Sequence, residues 1–136
     1  MKIVIDSNVY ISAFATRGLC SEVFELCLAE HNIYICNEII SEIERILINK
    51  IKVPDKIDKE TVEYLNQHIH KVKPVKVSKE VCRDRKDLMV LGTAEEVGAD
   101  IIITGDNDLL VLEKYKNTKI VNPSGFWKLS SKILKD

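Results

Sequence analysis

Along this chain, brief runs of consecutive apolar residues alternate with longer stretches in which apolar residues return every three or four positions. The runs are short enough for buried strands and the spaced stretches match one face of a helix. Strands are expected at about Lys2 to Ile5, Ile33 to Ile35, Val72 to Val77, Ile101 to Ile103 and Lys119 to Val121. Between them, a helix begins near Asn8, breaks around Thr16-Arg17-Gly18 and resumes from Ser21 to Glu30. Asn37 is a capping residue for a helix reaching about Asn49, and Pro54-Asp55 separates it from a more polar helix over Asp58 to about His68. Asp84 or a neighbour caps the next helix, which runs to Val97 and stops at Gly98. A short helix over Asp108 to Tyr115 and a last one entered through Pro123 and Ser124 complete the order. Such alternation predicts an α/β fold with a mostly parallel sheet. With 136 residues and no linker or repeat, a single domain over 1–136 is expected.

Two of these strands end on acids. Ile5 leads into Asp6-Ser7-Asn8, and Ile103 into Thr104-Gly105-Asp106-Asn107-Asp108. In α/β folds the carboxyl ends of parallel strands open onto a crevice, so both sets of carboxylates are placed to meet a ligand there. The ordinary alternatives are an Asx-turn at Asp6 and helix capping within Gly105-Asp106-Asn107-Asp108.

Helical geometry brings two further acids toward the same rim. Glu42 borders the stripe formed by Ile39, Ile40, Ile43, Ile46 and Leu47, with Glu38 in reserve further toward solvent. Its ordinary alternative is a surface pair with Arg45 at i+3. Asp87 heads a row completed by Val90, Leu91 and Ala94, so an ionised carboxylate starts a buried face. That is costly unless a cation or hydrogen-bond donors meet it, although a first-turn acid also answers the helix dipole.

Composition narrows the classes. The balance of 46% hydrophobic and 30% charged residues is that of a folded globular chain rather than a disordered one. No apolar run approaches the length of a membrane span, and Asp6 arrives too early for a signal peptide, which predicts a cytoplasmic protein with no membrane partner. Cys20, Cys27, Cys36 and Cys82 form no C-x-x-C pair and stand at no zinc spacing to His31, His68 or His70, so reduced and mostly buried thiols are expected. A net charge of −1 excludes a broad basic surface and restricts any nucleic-acid contact to a local patch. Lys114, Lys116, Lys119, Lys128, Lys132 and Lys135 gather late in the chain, either as such a patch or as a solvated face.

Taken in order, Ile5-Asp6-Ser7-Asn8-Val9, Ser41-Glu42-Ile43, Cys82 through Asp87 leading into Leu91-Gly92-Thr93-Ala94, Gly98 through Leu110, and Asn122-Pro123-Ser124-Gly125-Phe126 resemble the PIN-domain ribonucleases, especially stand-alone toxins of prokaryotic toxin–antitoxin pairs. The resemblance spans nearly the whole chain. It implies a three-layer α/β/α sandwich on a sheet of about five strands, and an acidic quartet of Asp6, Glu42, Asp87 and Asp106, with Asp108 as a further metal ligand. Asn8 and Thr104 match polar positions that orient the site. Leu88-Met89 depart from the pattern, standing where polar or basic residues are frequent.

Four carboxylates in one crevice repel unless cations neutralise them, and an all-oxygen set selects Mg²⁺ or Mn²⁺ over Zn²⁺. The implied activity is a metal-dependent endoribonuclease cutting single-stranded RNA, leaving 5′-phosphate and 3′-hydroxyl ends. A cognate antitoxin and a homodimer are the implied protein partners. The rival readings are a catalytically weak or silent RNA-binding or partner-binding module, and a phosphatase of the haloacid dehalogenase type. Asn8 stands where that phosphatase needs its second acid.

Overall fold

In the computed structural model, which describes residues 1–135 and side chains through Ser131, one sheet organises the chain. Its strands are β1 (Lys2–Ile5), β2 (Asn32–Ile35), β3 (His70–Lys71), β4 (Ile101–Ile103), β5 (Lys114–Tyr115) and β6 (Thr118–Val121). They lie in the order β3-β2-β1-β4-β6-β5. All neighbours run parallel except the β5/β6 pair. The register aligns Ile3 with Ile33 and Ile101, and Ile101 in turn with Lys119, so β1 and β4 occupy the middle of the sheet. Their residues are apolar on both faces because helices cover both: Ile3, Val4, Ile5, Ile101, Ile102 and Ile103 are all buried.

Those helices are α1 (Ser7–Ala15), α2 (Leu19–Glu30), α3 (Asn37–Ile46), α4 (Asp55–His68), α5 (Arg85–Val97), α6 (Asn107–Leu110) and α7 (Pro123–Lys135). The stripe expected on α3 is present, with Ile39, Ile40, Ile43 and Ile46 buried. After Ile46 the chain widens into a π-helical turn over Leu47–Ile51, which ends at Lys52 with a positive φ of 62°. On α5, Asp84 is the N-cap and Gly98 the left-handed C-cap at φ 64°, a conformation for which glycine carries no Cβ penalty. All four cysteines are free, three of them buried, and burial pushes the Cys27 thiol up to about 12. Among the described residues no helix is long and apolar enough to cross a membrane.

Several local expectations change, the first at α3, where Cys36 holds the N-cap position and Asn37 is already helical. The strand expected over Val72 to Val77 is replaced by β3 at His70–Lys71, and the chain then leaves the sheet. Val72 N–H still donates to the Ile35 carbonyl, but Pro74 has no N–H, and Val75 N–H donates 3.2 Å to the carbonyl of Gly92 on α5. Gly92 has no room for a side chain, since a Cβ there would collide with the Val75 carbonyl oxygen. Helix α6 stops at Leu110, and the chain returns as the short antiparallel strand β5, so the sheet has six strands rather than five. Of the late lysines, Lys132 and Lys135 have side chains outside the described residues.

Candidate metal centre

The carboxyl ends of β1 and β4 lie side by side, because Asp6 N–H donates 3.0 Å to the Ile103 carbonyl. That bond extends the β1/β4 ladder, which carries the two strand-ending acids to one rim. Asp6 opens α1 as its N-cap, accepting the Ser7 N–H on Oδ1 at 2.7 Å, while its Oδ2 accepts the Thr104 hydroxyl at 2.8 Å. Thr104 is fully buried, and its Oγ1 also accepts the Asp106 N–H at 3.0 Å. One hydroxyl thus fixes the Asp6 carboxylate against the backbone of Asp106. Asp106 caps α6 in turn, its Oδ1 accepting the Asp108 N–H at 2.9 Å. Capping and clustering are therefore properties of the same carboxylate rather than of two different ones.

Asp87 arrives from the first turn of α5, where the buried Val90, Leu91 and Ala94 face fixes the helix against the sheet. It is 2% exposed, and the Cys82 thiol donates to its Oδ2 at 3.5 Å. Oxygens of Asp6, Asp87 and Asp106 all fall within 4.8 Å of one another, a group able to hold a cation. The electrostatics follow from that crowding. Burial first, and then the neighbouring Asp106, push the Asp87 carboxyl up to about 7. Burial also raises the Asp6 carboxyl, against the lowering effect of its Thr104 and Ser7 hydrogen bonds. The donor set is all oxygen and holds more negative charge than it neutralises, which fits a hard divalent ion.

Glu42 stands apart from this trio. It lines the cleft whose wall includes Asp6, about 470 Å³ in volume, but its carboxylate is held by Arg45 at 2.7 Å and Lys86 at 2.9 Å. Those contacts, the Arg45 hydrogen bond foremost, lower its carboxyl below the usual range. The i+3 pair with Arg45 is thus formed, and Lys86 from α5 adds a cross-helix partner. Glu38 lines the same cleft and is exposed. Asp108 and Asn8 are exposed beside the trio, in the first turns of α6 and α1. Leu88 is buried in the core, while Met89 is half-buried and lines the cleft.

One group of residues escaped the sequence reading. Lys71, Lys73, Lys76, Lys79, Arg83, Arg85 and Lys86 are all exposed on the segment that leads from β3 into α5. A sliding count of charge would have found them, because only Glu80 and Asp84 oppose them in that stretch.

A PIN domain model matches residues 2–108, from β1 through Asp108. Among solved structures, the chain is similar to one from VapBC-1 of nontypeable Haemophilus influenzae, at 13% identity and a TM-score of 0.64, covering 91% of this chain and 99% of that one. It is similar also to one from VapBC2 of Rickettsia felis bound to a DNA fragment from their promoter, at 13% identity and a TM-score of 0.63, covering 90% and 98%. At that identity these two likenesses bear on the fold alone. No curated protein sequence matches. With the family match covering most of its length, the chain belongs to the PIN-domain family.

Proposed function

We propose that this protein is a metal-dependent endoribonuclease that hydrolyses phosphodiester bonds in single-stranded RNA, acting in the cytoplasm as the toxin of a toxin–antitoxin pair. The observation that carries this reading is the convergence of Asp6, Asp87 and Asp106 within 4.8 Å on a rim where β1 and β4 end. Asp6, Asp87 and Asp106 hold the ion, with Asp108 and Glu42 as outer members of the set and Asn8 and Thr104 orienting it. Mg²⁺ or Mn²⁺ supplies positive charge against the carboxylates and the scissile phosphate, and Lewis-acid activation of water. The chain's own contribution is positional. Thr104 fixes the Asp6 carboxylate, the α5 core contacts fix Asp87, and the α6 cap fixes Asp106, so little is left to reorganise when substrate arrives.

The neighbours from VapBC structures support a cognate antitoxin as partner. A homodimer is a further part of the proposal, with Ile48, 41% exposed in the π-helical turn that follows α3, as an apolar contact. The competing reading, a silent PIN-type binding module, draws on one observation: Glu42 is engaged by Arg45 and Lys86 rather than by the trio. Purified protein incubated with a mixed RNA pool separates the two. Cleavage in Mn²⁺ that stops with EDTA and in Asp6→Asn and Asp87→Asn supports the nuclease, and sequencing the new ends gives its preference. Binding of RNA without cleavage by any form establishes the module instead.

A further inference from the structure

Residues 71–86 carry seven of the chain's twenty Lys and Arg against two acids, a local excess of five positive charges in a protein of net −1. The segment joins edge strand β3 to the helix that delivers Asp87, so it leads physically to the trio. Among the described residues, Lys76, Lys79, Arg83 and Arg85 form no ion pair. These four rim a second cleft of about 930 Å³, whose lining also includes Val77, Leu88 and Met89. Arg85 and Met89 line both this cleft and the one containing Asp6. The two are therefore neighbours along one surface.

From this arrangement we infer that residues 76–85 form the track that holds single-stranded RNA on one side of the scissile bond, an inference that rests on the nuclease reading above. Unpaired cations at the rim answer backbone phosphates, and the half-buried Met89, packed over the buried Val77 and Leu88 floor, offers apolar surface to an unstacked base. A duplex keeps its base faces stacked and cannot use the second feature. The backbone under the track is held in place, since Val75 N–H is bonded to Gly92 of α5 and Gly92 admits no side chain between them. Met89, which departs from the family pattern, thereby acquires a place: it is the apolar contact shared by the two clefts, while the basic residues expected beside Asp87 are supplied by the preceding loop.

The test is binding of a fluorescently labelled 12-nucleotide single-stranded RNA by anisotropy across a salt series, with Ca²⁺ present and gels confirming intact RNA. Wild type is compared with Lys76→Ala/Lys79→Ala/Arg83→Ala and with Lys76→Arg/Lys79→Arg. All three positions are exposed, and unchanged melting temperatures verify the fold. The triple alanine variant is expected to weaken binding roughly 10- to 100-fold near 100 mM salt and to flatten the salt slope by about 2, as removal of three phosphate contacts does for single strands. The arginine variant retains the wild-type slope. Equal affinity and slope in wild type and triple variant overturn the proposal, as does equal binding of the matching duplex. A poly-glutamate peptide that displaces the RNA at equal charge concentration also overturns it, assigning the patch to an acidic protein. Because binding is read without turnover, a track that binds while cleavage assays remain blank refutes the nuclease reading and not the track.

Discussion

Asp87→Asn is expected to make the metal-free protein more stable at neutral pH while abolishing its activity. In the folded protein, burial and Asp106 raise the Asp87 carboxyl from 3.8 to about 7. A group whose folded-state value lies above its unfolded one contributes stability that is complete below about pH 3.8 and is lost as pH rises through about 7. At 1.36 kcal/mol per tenfold change in proton affinity, that interval corresponds to a ceiling of about 4 kcal/mol. Water in the open crevice and relaxation around Asp106 reduce it, leaving about 2 kcal/mol. An asparagine keeps the shape and a hydrogen-bonding group while removing the charge, so the variant escapes this loss.

Urea unfolding of both proteins at pH 4 and pH 8, each in EDTA and in Mn²⁺, measures the effect. The two should unfold at similar urea concentrations at pH 4. At pH 8 in EDTA the variant should lead by about 2 kcal/mol, equivalent to a shift of about 1 M in the midpoint for a small domain. Mn²⁺ should close the gap by stabilising wild type alone, because only the intact trio binds the ion well. A variant less stable than wild type by the same amount at both pH values refutes the reasoning, since it makes the Asp87 carboxyl a structural hydrogen-bonding group rather than a repelled charge.

Thr104→Val keeps the buried volume but leaves Asp6 Oδ2 and the Asp106 N–H without their shared partner, so a loss of about 1–3 kcal/mol in chemical denaturation and at least a tenfold drop in cleavage rate are expected. Gly92→Ala drives a methyl group against the Val75 carbonyl and should cost about 1–3 kcal/mol, with faster hydrogen exchange over residues 74–77. Lys86→Ala removes an exposed partner of Glu42 and should change stability by less than about 0.5 kcal/mol. If Glu42 serves the ion, the same substitution tightens Mn²⁺ binding in calorimetry, and unchanged affinity removes Glu42 from the metal set.

Strand ends and the caps of α5 are the legible part of the fold, whereas α3 has Cys36 at its N-cap and the expected cap, Asn37, as its first helical residue. Asp84 and Gly98 at the ends of α5, the Ile39, Ile40, Ile43 and Ile46 stripe, and the burial of Asp87 all follow from local spacing. The strand expected over Val72 to Val77 is absent because Pro74 has no N–H to give the sheet and the Val75 N–H turns to the Gly92 carbonyl of α5, a tertiary partner that alternation alone does not specify. Convergence of Asp6, Asp87 and Asp106 is implied by resemblance and strand order; the β1/β4 pairing is the physical cause for Asp6 and Asp106, and the packing of α5 on the sheet is the cause for Asp87. Glu42 shows the converse. Its position at the edge of the core stripe and its i+3 pair with Arg45 are readable, but its second partner, Lys86, is remote in sequence and adjacent only once α3 and α5 pack. The basic segment does not show in the net charge of the whole chain, where acids elsewhere cancel it.

Two members of the trio also serve the backbone, and this ties the site to folding. Asp6 and Asp106 each spend one oxygen on a helix N-terminus, at Ser7 and Asp108, and both lie next to Thr104. Loss of either side chain therefore mixes two effects, a missing cap and a missing ligand, and an alanine variant alone cannot separate them. Asparagine retains capping ability because its amide oxygen still accepts the backbone N–H, whereas alanine forfeits it at about 1 kcal/mol. Asp106→Ala should accordingly lose both Mn²⁺ binding and about 1 kcal/mol relative to Asp106→Asn, while both are equally silent in cleavage. Equal stability of the two variants indicates that α6 holds its place through the buried Leu109 rather than through its cap, and the carboxylate is then free of any structural duty.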